Sequence, residues 1–280
     1  MNKLAAQSLS LSYGAALIID QLDLQIPQGK ISILIGSNGC GKSTLLRSFA
    51  RLLKPEQGAI LLNGRGISQM STKEIARQMA VLPQGPVLPE ALTVLQLVRL
   101  GRYPHQKLFQ QWSEEDERQV DKALRMTHLE SLQDRAVDSL SGGQRQRAWI
   151  AMTLAQNTEV LLLDEPTTYL DMAHQVEILD LLYDLNQEEQ RTIVMVLHDL
   201  NLACRYAHHI IAVHNKGIHS QGLPEEIMTK QMIKDVFGMD CEIGTDPLFG
   251  TPVCVPHGKG RKIIARHDFK AKQELRKAQG

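Results

Sequence analysis

Residues 31–44, ISILIGSNGCGKST, constrain the fold of this chain more than any other stretch. A short, continuously apolar run ends in a glycine-rich turn, and the turn leads straight into the helical pattern KSTLLRSFARLL. The turn fits G-x-x-x-x-G-K-[ST] in the strand-to-helix context that gives this motif its meaning. Gly36, Gly39 and Gly41 let the backbone turn so that successive N–H groups, with those of Ser37, Asn38, Cys40 and Thr44, face inward at phosphate oxygens. Lys42 is placed to reach the β- and γ-phosphates, and Ser43 to reach a Mg²⁺ ion.

Other short apolar runs recur along the chain: AILLNG at 59–64, MAVLPQ at 79–84, VLLLDEP at 160–166, TIVMVLHD at 192–199 and HIIAVHNKG at 209–217. Runs that are apolar on both faces suit strands buried between helices. Helical patterns such as MAHQVEILDLLYDLNQ lie between several of them, which argues for an α/β core with a largely parallel sheet. From about residue 89 to 156 the strand signal gives way to helical periodicity. Here SEEDERQVDKALRMTHL opens on Ser113 with an acid three residues later, a capping-box-like start. This region reads as a helical subdomain inserted into the sheet domain.

The 280 residues, 43 % hydrophobic and 22 % charged, suffice for one large domain or two modest ones. Lys plus Arg and Asp plus Glu are both 31, so net charge gives no argument for a nucleic-acid partner. The basic excess is local: from Gly258 onward eight Lys and Arg face only Asp268 and Glu274, as in a solvated tail or a short surface helix. Cys40, Cys204, Cys241 and Cys254 show no C-x-x-C spacing and are expected to be reduced thiols of a cytosolic protein, without zinc. The start of the chain, MNKLAAQSLSLSYG, lacks the apolar core of a secretory signal. No apolar run approaches the roughly 18 residues that span a bilayer, so the chain is not expected to cross a membrane.

VLLLDEP supplies a second half for a nucleotide site. At the end of a buried strand, Asp164 would hold Mg²⁺ through water, and Glu165 beside it could orient or deprotonate an attacking water. Adjacent acids after a strand also serve as helix caps or solvated turns, and it is the phosphate loop that tips the reading toward chemistry. About a hundred residues beyond that loop, SLSGGQR places Ser141, Gly142, Gly143 and Gln144 at a helix start. Such a start is a second turn whose bare N–H groups could hold an anion.

Taken together, GSNGCGKST, LSGGQ at 140–144 and LLLDEP make the chain resemble the ATP-binding subunit of an ABC transporter, with order and spacing that fit to about residue 240. The resemblance implies a P-loop NTPase core with a mostly parallel sheet, an antiparallel β subdomain and an inserted helical subdomain. Residues 1–240 would form the ATP-binding domain, with the helical subdomain at about 89–156, and 241–280 a C-terminal extension ending in the basic tail. It further implies that Tyr13 stacks on adenine and that Gln84 ends a strand near the nucleotide and its metal. Asp171 would follow the second phosphate motif in a loop, and His198 would end a strand beside the reacting phosphate. Read without the family, Tyr13 is a surface aromatic, Gln84 a strand-terminal polar residue, Asp171 a helix N-cap and His198 a satisfied histidine. In the family the signature turn lies across a dimer interface, so Ser141 to Gln144 would complete the site of a second copy, with two ATP molecules sandwiched between the chains.

The stretches SLSGGQRQRAWIAMTLAQ and LLLDEPTTYLDMAHQVEILDLL, with PTTYLDMAHQ and RQRAWIAM as the most telling pieces, are similar to the ATPases of bacterial ferric-siderophore importers. That likeness implies a homodimer on the cytoplasmic face of the bacterial inner membrane. It would serve integral-membrane permease subunits and, indirectly, a substrate-binding protein. Vitamin B12 and heme importers are related alternatives. A soluble ABC ATPase of DNA repair or translation fits less well, because the single cassette is uninterrupted and its body carries no basic stripe. Gln84 and the region from GPVLPEALTV onward are expected to lie toward the permease. Ser37 departs from the proline common in the family, at a position that contributes mainly backbone, and Cys40 reads as a small residue tolerated by a tight turn. The family supplies no role for the basic tail, which reads as a solvated end with the potential to touch anionic lipid head groups.

Overall fold

The computed structural model describes residues 3–85, 92–106, 112–168 and 170–259. The chain opens with β1 (Leu4–Tyr13), β2 (Ala16–Ile26) and β3 (Ile31–Ile35), then α1 (Lys42–Phe49), β4 (Gln57–Leu62), β5 (Arg65–Gly66), α2 (Thr72–Ala76) and β6 (Met79–Leu82). Three helices follow, α3 (Val94–Leu100), α4 (Glu114–Met126) and α5 (Gly142–Ala155). The remainder is β7 (Val160–Leu163), α6 (Met172–Glu189), β8 (Thr192–Val196), α7 (Leu200–Tyr206), β9 (His209–His214), β10 (Gly217–Gly222), α8 (Pro224–Ile227), α9 (Lys230–Phe237), β11 (Cys241–Thr245) and β12 (Pro252–Pro256).

The central sheet has the order β10-β9-β3-β8-β7-β6 and is parallel from β9 to β6, with β10 antiparallel at one edge. Every residue of β3, β7 and β8 is buried. Their side chains alternate between two cores, as a two-residue period requires. Ile31, Ile33, Leu161, Leu163, Ile193 and Met195 face the helical side. Leu34, Leu162, Val194 and Val196 face a second core, built with Leu45, Leu46 and Phe49 of α1 and with Leu9, Leu11 and Ile19 of β1 and β2. The helix that follows the phosphate loop is thereby clamped between two sheets. Phe49 is fully buried there, and Phe49→Ala would cost about 3–5 kcal/mol through lost transfer energy and a cavity.

Two sequence expectations are corrected. AILLNG, read as a strand buried on both faces, is β4 of the separate antiparallel sheet β2-β1-β4-β5. Ile60 and Leu62 alone point fully inward, while Gln57 and Gly58 are exposed. The helix expected over KSTLLRSFARLL ends at Phe49, because Arg51 turns to a positive φ of 58° and its guanidinium donates to Met70 O at 2.6 Å.

Helices α3, α4 and α5 form the helical region. The Ser113 hydroxyl accepts from the Asp116 N–H, and the Asp116 carboxylate accepts back from the Ser113 N–H at 3.1 Å, closing a capping box. The same buried carboxylate accepts from Arg102 Nε at 2.9 Å, while Arg102 Nη1 donates to Ala155 O at 2.9 Å. One side chain therefore ties the ends of α3 and α5 to the start of α4. Removing either partner would strand a buried charge, at about 3–5 kcal/mol.

The hairpin β11-β12 packs on α7. Cys254 N–H donates to the Asn201 side chain at 2.8 Å, and Cys241 and Cys254 are buried in the same core as Ala203 and Cys204. All four cysteines are free. Among the described residues no helix is long and apolar enough to cross a membrane. The basic tail from Arg261 onward and residues 86–91 of the expected permease-facing stretch lie outside the described residues.

Candidate nucleotide site

The phosphate loop leaves β3 at Gly36, where φ is 150° and a methyl group would lie 2.4 Å from Val213 O of β9, so the neighbouring strand itself demands glycine. Gly41, with φ 108°, is the N-cap of α1, and no side chain caps this helix. Its first-turn N–H groups are therefore unspent on side chains. Lys42 is only 5 % exposed, and its ammonium donates to Gly36 O at 2.9 Å and Ser37 O at 3.0 Å, holding a cation at the centre of the loop. Cys40 is half-buried, with Sγ 3.9 Å from that ammonium. Asn38, Gly39, Gly41, Lys42, Ser43 and Thr44 line one wall of a 430 Å³ cleft, faced by Gln84, Glu165 and His198 and closed on one side by Ile18.

Two neighbouring carboxylates follow β7 and differ in character. Asp164 is 3 % exposed, and burial pushes its carboxyl above the usual carboxylate range against the opposing bond from Ser43 Oγ, 2.8 Å from Oδ1. Its Oδ2 is buried with no hydrogen-bond partner among the described residues. A buried orphan oxygen beside a serine hydroxyl fits a hard divalent cation. Glu165 has a positive φ of 53°, a conformation that costs a non-glycine residue about 1–3 kcal/mol and clusters at functional sites. His198 Nε2 lies 2.7 Å from its Oε1, while Gln84 Nε2 and Thr168 Oγ1 donate to its Oε2 at 2.7 and 2.9 Å. Burial works against the Glu165 charge, yet the bonds from His198, Thr168 and Gln84 prevail and hold its pKa below the ordinary value. The cleft thus presents a cation at one wall, a metal-competent carboxylate beside it and an ionised carboxylate opposite.

The other predicted residues lie elsewhere. Tyr13, at the end of β1, is 46 % exposed and sits across from Ala16 in the register, and it does not line the cleft. The turn Ser141–Gln144 opens α5 outside the cleft of its own chain. Ser141 Oγ accepts from the Gln144 N–H at 3.3 Å, and Gln144 Oε1 accepts from the Ser141 N–H at 3.2 Å. Asp171 caps α6, its Oδ1 accepting from His174 N–H at 3.0 Å and lying 2.8 Å from His174 Nδ1. Those bonds, the backbone one first, hold the Asp171 carboxyl below its usual range.

Sequence reasoning missed Ile18, Thr168 and His174. Nothing in a strand isoleucine signals a cleft wall. Thr168 follows the carboxylate by three residues, a spacing that a tight turn brings back on itself. His174, four residues from Ile178 on an amphipathic helix, reads as a solvated side chain.

Residues 19–168 match the family described as ABC transporter. The chain is 65 % identical over 260 residues to the petrobactin import ATP-binding protein FpuD of Bacillus anthracis, covering 93 % of this chain and 95 % of that protein. It is 60 % identical over 259 residues to the achromobactin transport ATP-binding protein CbrD of Dickeya dadantii (strain 3937), covering 92 % and 96 %. Among solved structures it is similar to the dimeric bacterial ABC transporter cassette MJ0796, with a TM-score of 0.70 and 29 % identity over 79 % of this chain and 98 % of that one.

Proposed function

This chain belongs to the ABC transporter family as an ABC-type ATPase, and we propose that it energises import of a ferric siderophore through a membrane permease, working as a nucleotide-sandwich dimer at the cytoplasmic face of the membrane. The observation that carries the dimer is a separation within one chain: the cleft holds the phosphate loop and both carboxylates, while the Ser141–Gln144 turn and Asp171 stand outside it. Two copies in head-to-tail apposition would give each cleft the other copy's turn. The siderophore reading rests on relatives at 60 and 65 % identity that serve achromobactin and petrobactin.

A bound Mg²⁺ would supply positive charge against the negative charge that develops on the phosphates during transfer. Asp164, Ser43 and the Gln84 carbonyl oxygen would hold it. Lys42 exchanges the Gly36 and Ser37 carbonyls for phosphate oxygens, and the N–H groups from Ser37 to Thr44 cradle the chain of phosphates. Tyr13 stacks on adenine. Glu165 orients the water that attacks the γ-phosphorus, and His198 keeps that carboxylate ionised and aimed. The Ser141 hydroxyl accepts from Gln144 and so keeps its own O–H free to donate to the γ-phosphate of the other copy. Asp171 supports the same interface.

Two experiments test this reading. In a strain lacking the gene, uptake of iron presented as petrobactin- or achromobactin-type complexes should fall and should return with the wild type but not with Glu165→Gln; unchanged uptake of every ferric siderophore supplied rejects the substrate class. Tagged heterodimers test the sandwich. A Lys42→Ala chain paired with a Ser141→Arg chain keeps one intact site if the turn acts on the other copy, whereas a doubly substituted chain paired with wild type keeps none. Higher ATP turnover in the second pairing rejects the arrangement.

A further inference from the structure

The His174 imidazole lies between two segments that the proposed dimer sends to the same nucleotide. One ring edge meets Asp171, with Nδ1 2.8 Å from Oδ1. The other meets the signature turn: a methyl group built on Gly143 would lie 3.0 Å from Cδ2 and 3.1 Å from Cγ of the ring. An ionised carboxylate only accepts, so Nδ1 carries the proton and the ring is fixed in one orientation. Gly143 is buried, and it is the missing side chain there that lets a flat ring lie against the backbone of the turn.

One further bond joins the same two segments: Gln146 Nε2, in the next turn of α5, donates to Pro166 O at 2.8 Å. The loop between β7 and α6 is braced on its own helix, where Gln175 Nε2 donates to Leu170 O at 3.0 Å. Among the described residues, His174 is the side chain that touches both the Asp171 carboxylate and the Ser141–Gln144 turn. The helix cap does not need this side chain, because the Asp171 cap bond goes to the backbone N–H of residue 174.

We propose that His174 is a positioning residue for ATP hydrolysis: by bridging Asp171 and Gly143 it fixes the spacing of the two, so that one chain presents them to the other copy's nucleotide as a single rigid surface. The proposal rests on the cross-chain reading of the signature turn. Its signature is a defect that appears in the other copy's site and leaves the chain's own phosphate loop unaffected.

The test uses full-length chains carrying His174→Ala or His174→Asn, whose amide can replace the Nδ1 donor. His174→Ala is expected to lower kcat about 10- to 100-fold, the scale of a small misplacement of catalytic groups. Nucleotide affinity of the single chain should stay within about twofold, and His174→Asn should restore most of the turnover. Paired with a Lys42→Ala chain, His174→Ala should retain more turnover than a doubly substituted chain paired with wild type, with Ser141→Arg run alongside as the control. If the control obeys the cross-chain ordering while His174→Ala has no effect, weakens the chain's own nucleotide binding or gives the opposite ordering, the proposal is overturned and the dimer reading stands. If the control itself gives the opposite ordering, both fall. Should dimers with one intact site prove silent, ATP-dependent dimerisation in the Glu165→Gln background decides: a lower dimer fraction with His174→Ala supports the proposal, and an unchanged fraction overturns it. Gly143→Ala pushes on the ring from the other side, and its effect on turnover should be non-additive with that of His174→Ala; strict additivity also counts against the bridge.

Discussion

Helices α1 and α5 both begin on glycines, and both are directed at phosphate in the proposed mechanism, yet they begin in opposite ways. The start of α1 has no side-chain cap, sits in a cleft and holds the buried Lys42 ammonium. The start of α5 carries a full capping box between Ser141 and Gln144, and Ser141 and Gly142 are exposed. A start that is uncapped and cationic is a ligand site within a single chain. A start that satisfies two of its own donors, the Ser141 and Gln144 N–H groups, keeps its shape without a ligand, and in the proposed dimer it meets an anion when the other copy delivers one. The cap is worth about 1 kcal/mol, enough to hold the turn ready and too little to prevent a charge-assisted bond from replacing it.

The largest expected effect separates chemistry from binding on the α1 side. Glu165→Gln should lower ATP turnover by about 10²- to 10⁴-fold while single-chain nucleotide affinity is kept and an ATP-bound dimer accumulates on gel filtration; a monomer with normal turnover would remove Glu165 from its role. Next, Lys42→Ala should weaken nucleotide binding by a single chain about 10- to 100-fold, the worth of a charged hydrogen-bonding group. Ser141→Ala should leave that affinity within about twofold. Equal losses, measured by titration of a fluorescent ATP analogue, would break the contrast between the two helix starts.

A pH profile sharpens it. The cleft holds an ionised base and the α5 turn holds none, so the acid limb of kcat belongs to the cleft. The bonds from His198, Thr168 and Gln84 outweigh burial to lower the Glu165 pKa; His198→Ala should therefore move the acid limb to higher pH, and Ser141→Ala should leave it in place. The smallest effect is structural. Ser141→Ala removes the cap, and a loss of about 1 kcal/mol should lower Tm by about 2–4 °C by calorimetry.

The α1 side was largely legible in the sequence because its chemistry is local. ISILIGSNGCGKST carries strand, turn, lysine and serine in one run, and VLLLDEP carries the metal-competent Asp164 directly after its strand. Two caps read equally well, since Ser113 and Asp171 cap the helices they precede, whereas Ser141, read as the start of a turn with bare N–H groups, closes a capping box with Gln144. Long-range pairings did not. Gln84 meets Glu165 across 81 residues, and His174 meets Gly143 by packing between helices that no periodicity relates. The hairpin β1-β2 was hidden for another reason. Its alternation is interrupted by bulges around Ser8 and Gln21, both at a φ of 43°, so inward residues lose their two-residue step.

One detail of Glu165 reaches further. A carboxylate offers about four acceptor positions, and Gln84 and Thr168 share Oε2 while His198 takes one side of Oε1. Among the described residues the lone pair left unclaimed belongs to Oε1, so in the proposed mechanism the attacking water is selected by address and approaches beside His198. Gln84 stands immediately before the stretch expected to face the permease. A pull on that stretch would free a second position on Oε2 and change how many waters the base can recruit. Under the proposed transport function, demand would then reach the chemistry as a change in the number of acceptor positions one carboxylate leaves open.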